Sequence, residues 1–134
     1  MRIVIDTNVL VSFLFWESAT IVAAVNKAFD NYTALRSMET FAELSEVMLR
    51  PKFDRFLSIA ERKSFISFYE EQSEMVIVTE RVSLCRAPKD DKFLELAAGG
   101  EAPILLTGNR ELLRLDPFRI TRIITPQAFL AQAF

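Results

Sequence analysis

Apolar runs and polar breaks alternate along the chain, and they predict its elements. Arg2-Ile3-Val4-Ile5 is a short continuous apolar run, the signature of a strand buried on both faces, and it stops at Asp6-Thr7-Asn8. Val9 to Phe15 continues as a short helix or buried turn. A second helix is expected from Glu17-Ser18 to about Ala28, with Ile21, Val22, Ala24, Val25 and Phe29 as its apolar face, and Asp30-Asn31 reads as a turn. Tyr32 to Arg36 suits a second strand. Ser37 is placed to cap a helix over Met38 to Leu49, which Pro51 breaks. Ser58-Ile59-Ala60-Glu61 is a capping-box pattern opening a helix to about Glu74, with Phe65, Ile66, Phe68 and Tyr69 inward. Met75 to Val78 reads as a short strand or an extended link.

Beyond Pro88-Lys89, Asp90-Asp91 leads into a helix that Gly99-Gly100 ends. Pro103 to Thr107 is the next buried strand, and Gly108-Asn109 turns it into a helix from Arg110 to about Leu115. Ile120 to Ile124 is the last strand, and Thr125-Pro126 caps a helix from Gln127 to Ala133. This alternation predicts an α/β domain with a mostly parallel sheet covered on both faces. Neither GxGxxG nor GxxxxGK[ST] occurs, so dinucleotide and P-loop chemistry have no support.

Composition narrows the chemistry. At 134 residues the chain fits one domain. Its 51% hydrophobic content, with twelve Phe, exceeds what a small domain readily buries and points to self-association. A net charge of −2 argues against holding nucleic acid by broad attraction alone. The absence of histidine removes Ser-His-Asp and Cys-His catalysis and histidine-bound zinc, and leaves carboxylates with a hard, oxygen-bound cation. The one cysteine, Cys85, reads as an inert thiol and suits a reducing compartment. Asp6 and Asn8 interrupt the apolar start, which therefore does not read as a signal peptide, and no apolar run is long enough for a membrane span. The chain is expected to be cytoplasmic.

Groups at the carboxyl ends of parallel strands share one edge, where α/β sheets bind ligands. Asp6 and Asn109 each follow an apolar strand. The helix bearing Glu43 follows the second strand, and Asp91 starts another helix. For each, a structural role competes: Asp6, Asn109 and the Asp90-Asp91 pair are good helix caps. On a helical wheel Glu39, Glu43, Glu46 and Arg50 form a stripe that reads as a solvated face with a Glu46–Arg50 pair. Should the acids converge, they would repel unless neutralised, and Mg²⁺ or Mn²⁺ is the natural occupant.

These residues also carry a resemblance. Ile3-Val4-Ile5-Asp6-Thr7-Asn8-Val9-Leu10, Ala42-Glu43-Leu44 with Arg50-Pro51-Lys52-Phe53, Asp90 to Ala97, and Leu106-Thr107-Gly108-Asn109 with Leu112-Leu113 stand in the order of PIN-domain nucleases. The chain resembles their VapC-like toxin branch throughout. The resemblance implies a single three-layer α/β/α PIN-like domain over residues 1–134. It also implies a metal-dependent endoribonuclease, the toxin of a toxin–antitoxin pair, using Mg²⁺ or Mn²⁺. Asp6, Glu43 and Asp91 fall on the family's metal-binding acids, which replaces the solvated reading of Glu43, and Thr7 and Asn8 support the first motif. Asn109 takes a position that is often Asp in the family and joins the implied catalytic set, positioning a second ion, a water or the scissile phosphate, with Glu111 as a nearby acid that could compensate. Lys92, beside the site in sequence, is read as solvated, with contact to the RNA backbone as the alternative. An RNA substrate, a cognate antitoxin and a homo-oligomer are implied as partners. The alternative is a PIN-fold module that binds protein or RNA without cutting it, because Asn109 carries no charge.

Overall fold

The computed structural model describes residues 1–16 and 18–132. Among these, five strands form one sheet: β1 (Arg2–Ile5), β2 (Thr33–Arg36), β3 (Ser73–Met75), β4 (Ile104–Leu106) and β5 (Arg122–Ile124). The sheet order is β3-β2-β1-β4-β5, and every adjacent pair is parallel. The helices are α1 (Thr7–Phe15), α2 (Ala19–Asn31), α3 (Met38–Met48), α4 (Ile59–Gln72), α5 (Asp91–Gly99), α6 (Arg110–Leu113) and α7 (Pro126–Ala131).

Side chains alternate across a strand, so β1, β2, β4 and β5 each feed two cores. Ile3, Ile5, Ala34, Ile104 and Leu106 pack against α1 to α4 and α7 through Leu10, Val25, Leu44, Phe65 and Phe129. Val4, Leu35, Leu105 and Ile123 pack against α5 and α6 through Phe93, Leu94, Leu96 and Leu112. The result is the expected three-layer α/β/α arrangement, with β1 central and buried on both faces.

Local signals set most boundaries. Ser37 caps α3 in a reciprocal box with Thr40, and Ser58 caps α4 with Glu61. Thr125 accepts from the Ala128 N–H, with Pro126 at the first helical position. Other boundaries move. The polar pair Asp30-Asn31 does not turn the chain, because α2 continues through both residues. The segment after α4 pairs with β2 through Ser73, Glu74 and Met75, two residues earlier than its most apolar stretch. Glu17 and Ala133, the expected ends of two helices, lie outside the described residues.

One buried residue gives no sign of itself in the sequence. Arg62, on the inner face of α4, is fully buried. Its guanidinium donates to the carbonyls of Met48, Arg50, Leu57 and Ser58 and pairs with Asp54. It thereby fastens the segment after α3, including the 3-10 turn Pro51–Phe53, to α4.

Candidate active site

Asp6 is the only residue between β1 and α1. Its own N–H still bonds Leu106 O of β4 at 3.0 Å, so its side chain emerges where the two central strands end. Oδ1 accepts from the Asn8 N–H at 3.2 Å and caps α1. Oδ2 accepts from the Thr107 hydroxyl at 2.7 Å. Thr107 holds the matching place after β4, and its hydroxyl accepts in turn from the Asn109 N–H at 3.0 Å. The sheet order reverses direction at β1, so this is the switch-point crevice of a parallel sheet.

Asp6 is 3% exposed. Burial pushes its pKa up, the bonds from Thr107 and Asn8 pull it down, and the Asp90 and Glu43 charges push it up again. The net result is a carboxyl above its ordinary range. An acid held in this way gains from a nearby cation.

Asp6, Thr7, Asn8, Glu43 and Asp90 line one cleft of about 230 Å³ together with Glu46, Arg50, Lys52, Phe53 and Lys89. Glu46 and Arg50 form the expected i,i+4 pair, with bonds of 3.0 and 2.8 Å. Lys52 and Lys89 are exposed, and each sits on a 3-10 turn that starts with proline, Pro51–Phe53 and Pro88–Asp90.

Asp91 does not line this cleft. Its Oδ1 accepts from the Leu84 and Cys85 N–H groups at 3.1 and 2.8 Å. Burial raises its pKa, but the bonds from the Cys85 and Leu84 amides and the Cys85 thiol outweigh that, leaving it below the usual range. The neighbouring Asp90 faces the cleft instead, and its Oδ2 accepts from Asn109 Nδ2 at 3.2 Å. The pair stands where a 3-10 turn meets α5, and successive helical residues point about 100° apart. Neither aspartate makes a capping bond at this helix start.

Asn109 caps α6: its Oδ1 accepts from the Glu111 N–H at 2.9 Å, so the amide nitrogen is what it offers to Asp90. Glu111 turns away to Arg114 and Arg86 and lies outside the cleft. Lys92 is not solvated as expected. Its Nζ donates to Glu43 Oε2 at 2.7 Å and to the Lys89 carbonyl. Burial first and the Asp91 contact second push the Cys85 thiol up to about 12. Sequence reasoning gave Asp90 a capping role and left Lys92 solvated, and it did not single out Thr107, whose signal was readable: it is the first polar residue after an apolar strand, as Asp6 is.

The donors are those a hard divalent ion takes: carboxylates from three separate elements, one of them buried and charge-strained. As arranged here, no group of three or more His, Cys, Asp or Glu side chains among the described residues stands close enough to hold an ion jointly. The set therefore fits such an ion in kind, with Glu43 drawn partly towards Lys92.

Fold and cleft together define a class: an all-parallel α/β/α domain with a carboxylate-lined crevice at the carboxyl edge of its central strands. A family model described as PIN domain matches residues 2–111, and the chain belongs to that family. Two solved structures share the fold. One is VapBC2 from Rickettsia felis bound to a DNA fragment from their promoter (TM-score 0.64, 13% identity, 93% of this chain and 98% of that one). The other is VapBC-1 from nontypeable Haemophilus influenzae (TM-score 0.65, 17% identity, 94% and 98%). No curated protein matches the chain. Among the described residues no single helix is long and apolar enough to cross a membrane.

Proposed function

We propose that this chain is a divalent-metal-dependent endoribonuclease and the toxin of a toxin–antitoxin pair. The observation that carries the reading is that Asp6, Glu43 and Asp90, from the end of β1, α3 and the turn before α5, line one cleft at the switch point. Membership of the PIN domain family supports nuclease chemistry. The likeness to the two VapBC structures supports an antitoxin partner for this chain.

Asp6, Glu43 and Asp90 would hold Mg²⁺ or Mn²⁺, with Asp90 in the role that the family resemblance implies for Asp91. When bound, such an ion lowers the pKa of a water and offsets charge on a phosphodiester. The chain's own residues do the rest. Thr107 and the Asn8 amide fix the Asp6 carboxylate, Lys92 fixes Glu43, and Asn109 fixes Asp90. Lys52 and Lys89 have no ion-pair partner among the described residues and stand at the cleft to meet backbone phosphates. The site of action is the cytoplasm, where RNA and an antitoxin would be met.

The test is cleavage of single-stranded RNA with Mn²⁺ or Mg²⁺ present, against chelator and against Asp6→Asn. Metal-dependent cleavage lost in the variant is expected, and equal cleavage by both proteins overturns the proposal. A second reading, a non-cutting binding module, is favoured by the uncharged Asn109 and by the Lys92–Glu43 pair. Tight RNA or partner binding with no Mn²⁺ uptake at millimolar concentration would select it.

A further inference from the structure

The charges in the cleft do not suit a site built for two divalent ions. Glu43 shares its Oε2 with Lys92 Nζ at 2.7 Å, across 49 residues of chain. The Lys92 side chain is only 17% exposed, and its second bond, to the Lys89 carbonyl, fixes the ammonium at two points. Asn109 adds no charge, and its amide oxygen is committed to the Glu111 N–H. Glu46 is offset by its two bonds from Arg50.

What remains fixed is the carboxylates of Asp6, Glu43 and Asp90 against the ammonium of Lys92. If all three acids are ionised, the residual negative charge is the amount that one divalent cation offsets. A second ion would sit about 3.5–4 Å from the first and bring two more positive charges. Lys52 and Lys89 are exposed, where solvent screens their charge, so they add little to the balance inside.

On the metal-dependent reading above, we infer that this cleft holds a single divalent ion, bound chiefly through Asp6 and Asp90, and that the Lys92 ammonium stands in for a second cation by holding Glu43. Lys92 is thus a positioning residue. It sets how many ions bind and keeps Glu43 ordered without one.

Calorimetric titration of the chelator-stripped full chain with Mn²⁺ tests this, with circular dichroism as the folding check. The wild type is expected to take up one ion. Lys92→Met frees Glu43 and should tighten Mn²⁺ binding at least about tenfold or admit a second ion. Lys92→Arg keeps the charge and should still bind one ion, which covers a Lys92→Met chain that does not fold. Lys92→Met with Asn109→Asp should bind two. Two ions in the wild type, or a folded Lys92→Met chain with unchanged number and affinity, overturn the inference and leave the nuclease reading standing. No uptake by any of the proteins overturns the metal-dependent reading and this inference with it.

Discussion

At the scale of single residues, the site depends on which way neighbouring carboxylates point. Asp90 and Asp91 are chemically identical, yet one faces the cleft and the other ties down the Leu84-Cys85 amides. Asp90→Asn should abolish metal-dependent cleavage with little change in melting. Asp91→Asn should retain most cleavage but lose roughly 1–2 kcal/mol of stability, read by chemical denaturation. Asp6 makes the opposite trade. Its pKa is raised in the folded chain, so folding takes up protons there, and stability from this group is intact at low pH and lost as pH rises through the folded value. In chelator at neutral pH, Asp6→Asn should therefore melt higher than wild type, by on the order of 1 kcal/mol. The gap should close once the pH falls below the ordinary aspartate range. A lower melting point for the variant across the whole pH range would contradict the burial argument.

At the scale of elements, most of the architecture was legible. The apolar runs at Ile3–Ile5 and Ile104–Leu106 are strands because only burial on both faces accommodates them, and Ser37, Ser58, Asn109 and Thr125 cap the helices they precede. The segment after α4 was less legible, because pairing with β2, not hydropathy, sets where β3 lies. Arg62 was not legible at all, since its partners are carbonyls, which every residue has. Arg62→Met should cost roughly 3 kcal/mol, because the buried Met48 carbonyl and the part-buried carbonyls of Arg50, Leu57 and Ser58 lose the guanidinium and Asp54 loses its partner. The same change should loosen the turn carrying Lys52 and weaken RNA binding in chelator. Thermal melting and fluorescence anisotropy check the two effects.

At the scale of the whole molecule, the surplus of apolar residues finds a place on the surface. Trp16 and Phe56 are 55% and 45% exposed and meet edge to face with ring centroids 5.3 Å apart, and next to them Phe15 stacks on Phe53 at 4.2 Å. An exposed aromatic patch of this kind is characteristic of protein contacts. The chain is expected to self-associate through it. Light scattering after size exclusion should give more than the monomer mass for the wild type and the monomer mass for Trp16→Ser with Phe56→Ser. A monomeric wild type would instead assign the patch to a different partner.

The sequence by itself determined the layers, the parallel sheet and the edge at which Asp6 stands, because hydrophobic periodicity and helix caps are local and repeat what the backbone requires. Only the tertiary structure decided which acid of an adjacent pair joins Asp6, that Lys92 is bound to Glu43 instead of to water, and that Asn109 spends its oxygen on a helix cap. Those choices depend on how separate elements are rotated against one another, and the identity of a residue does not encode its direction.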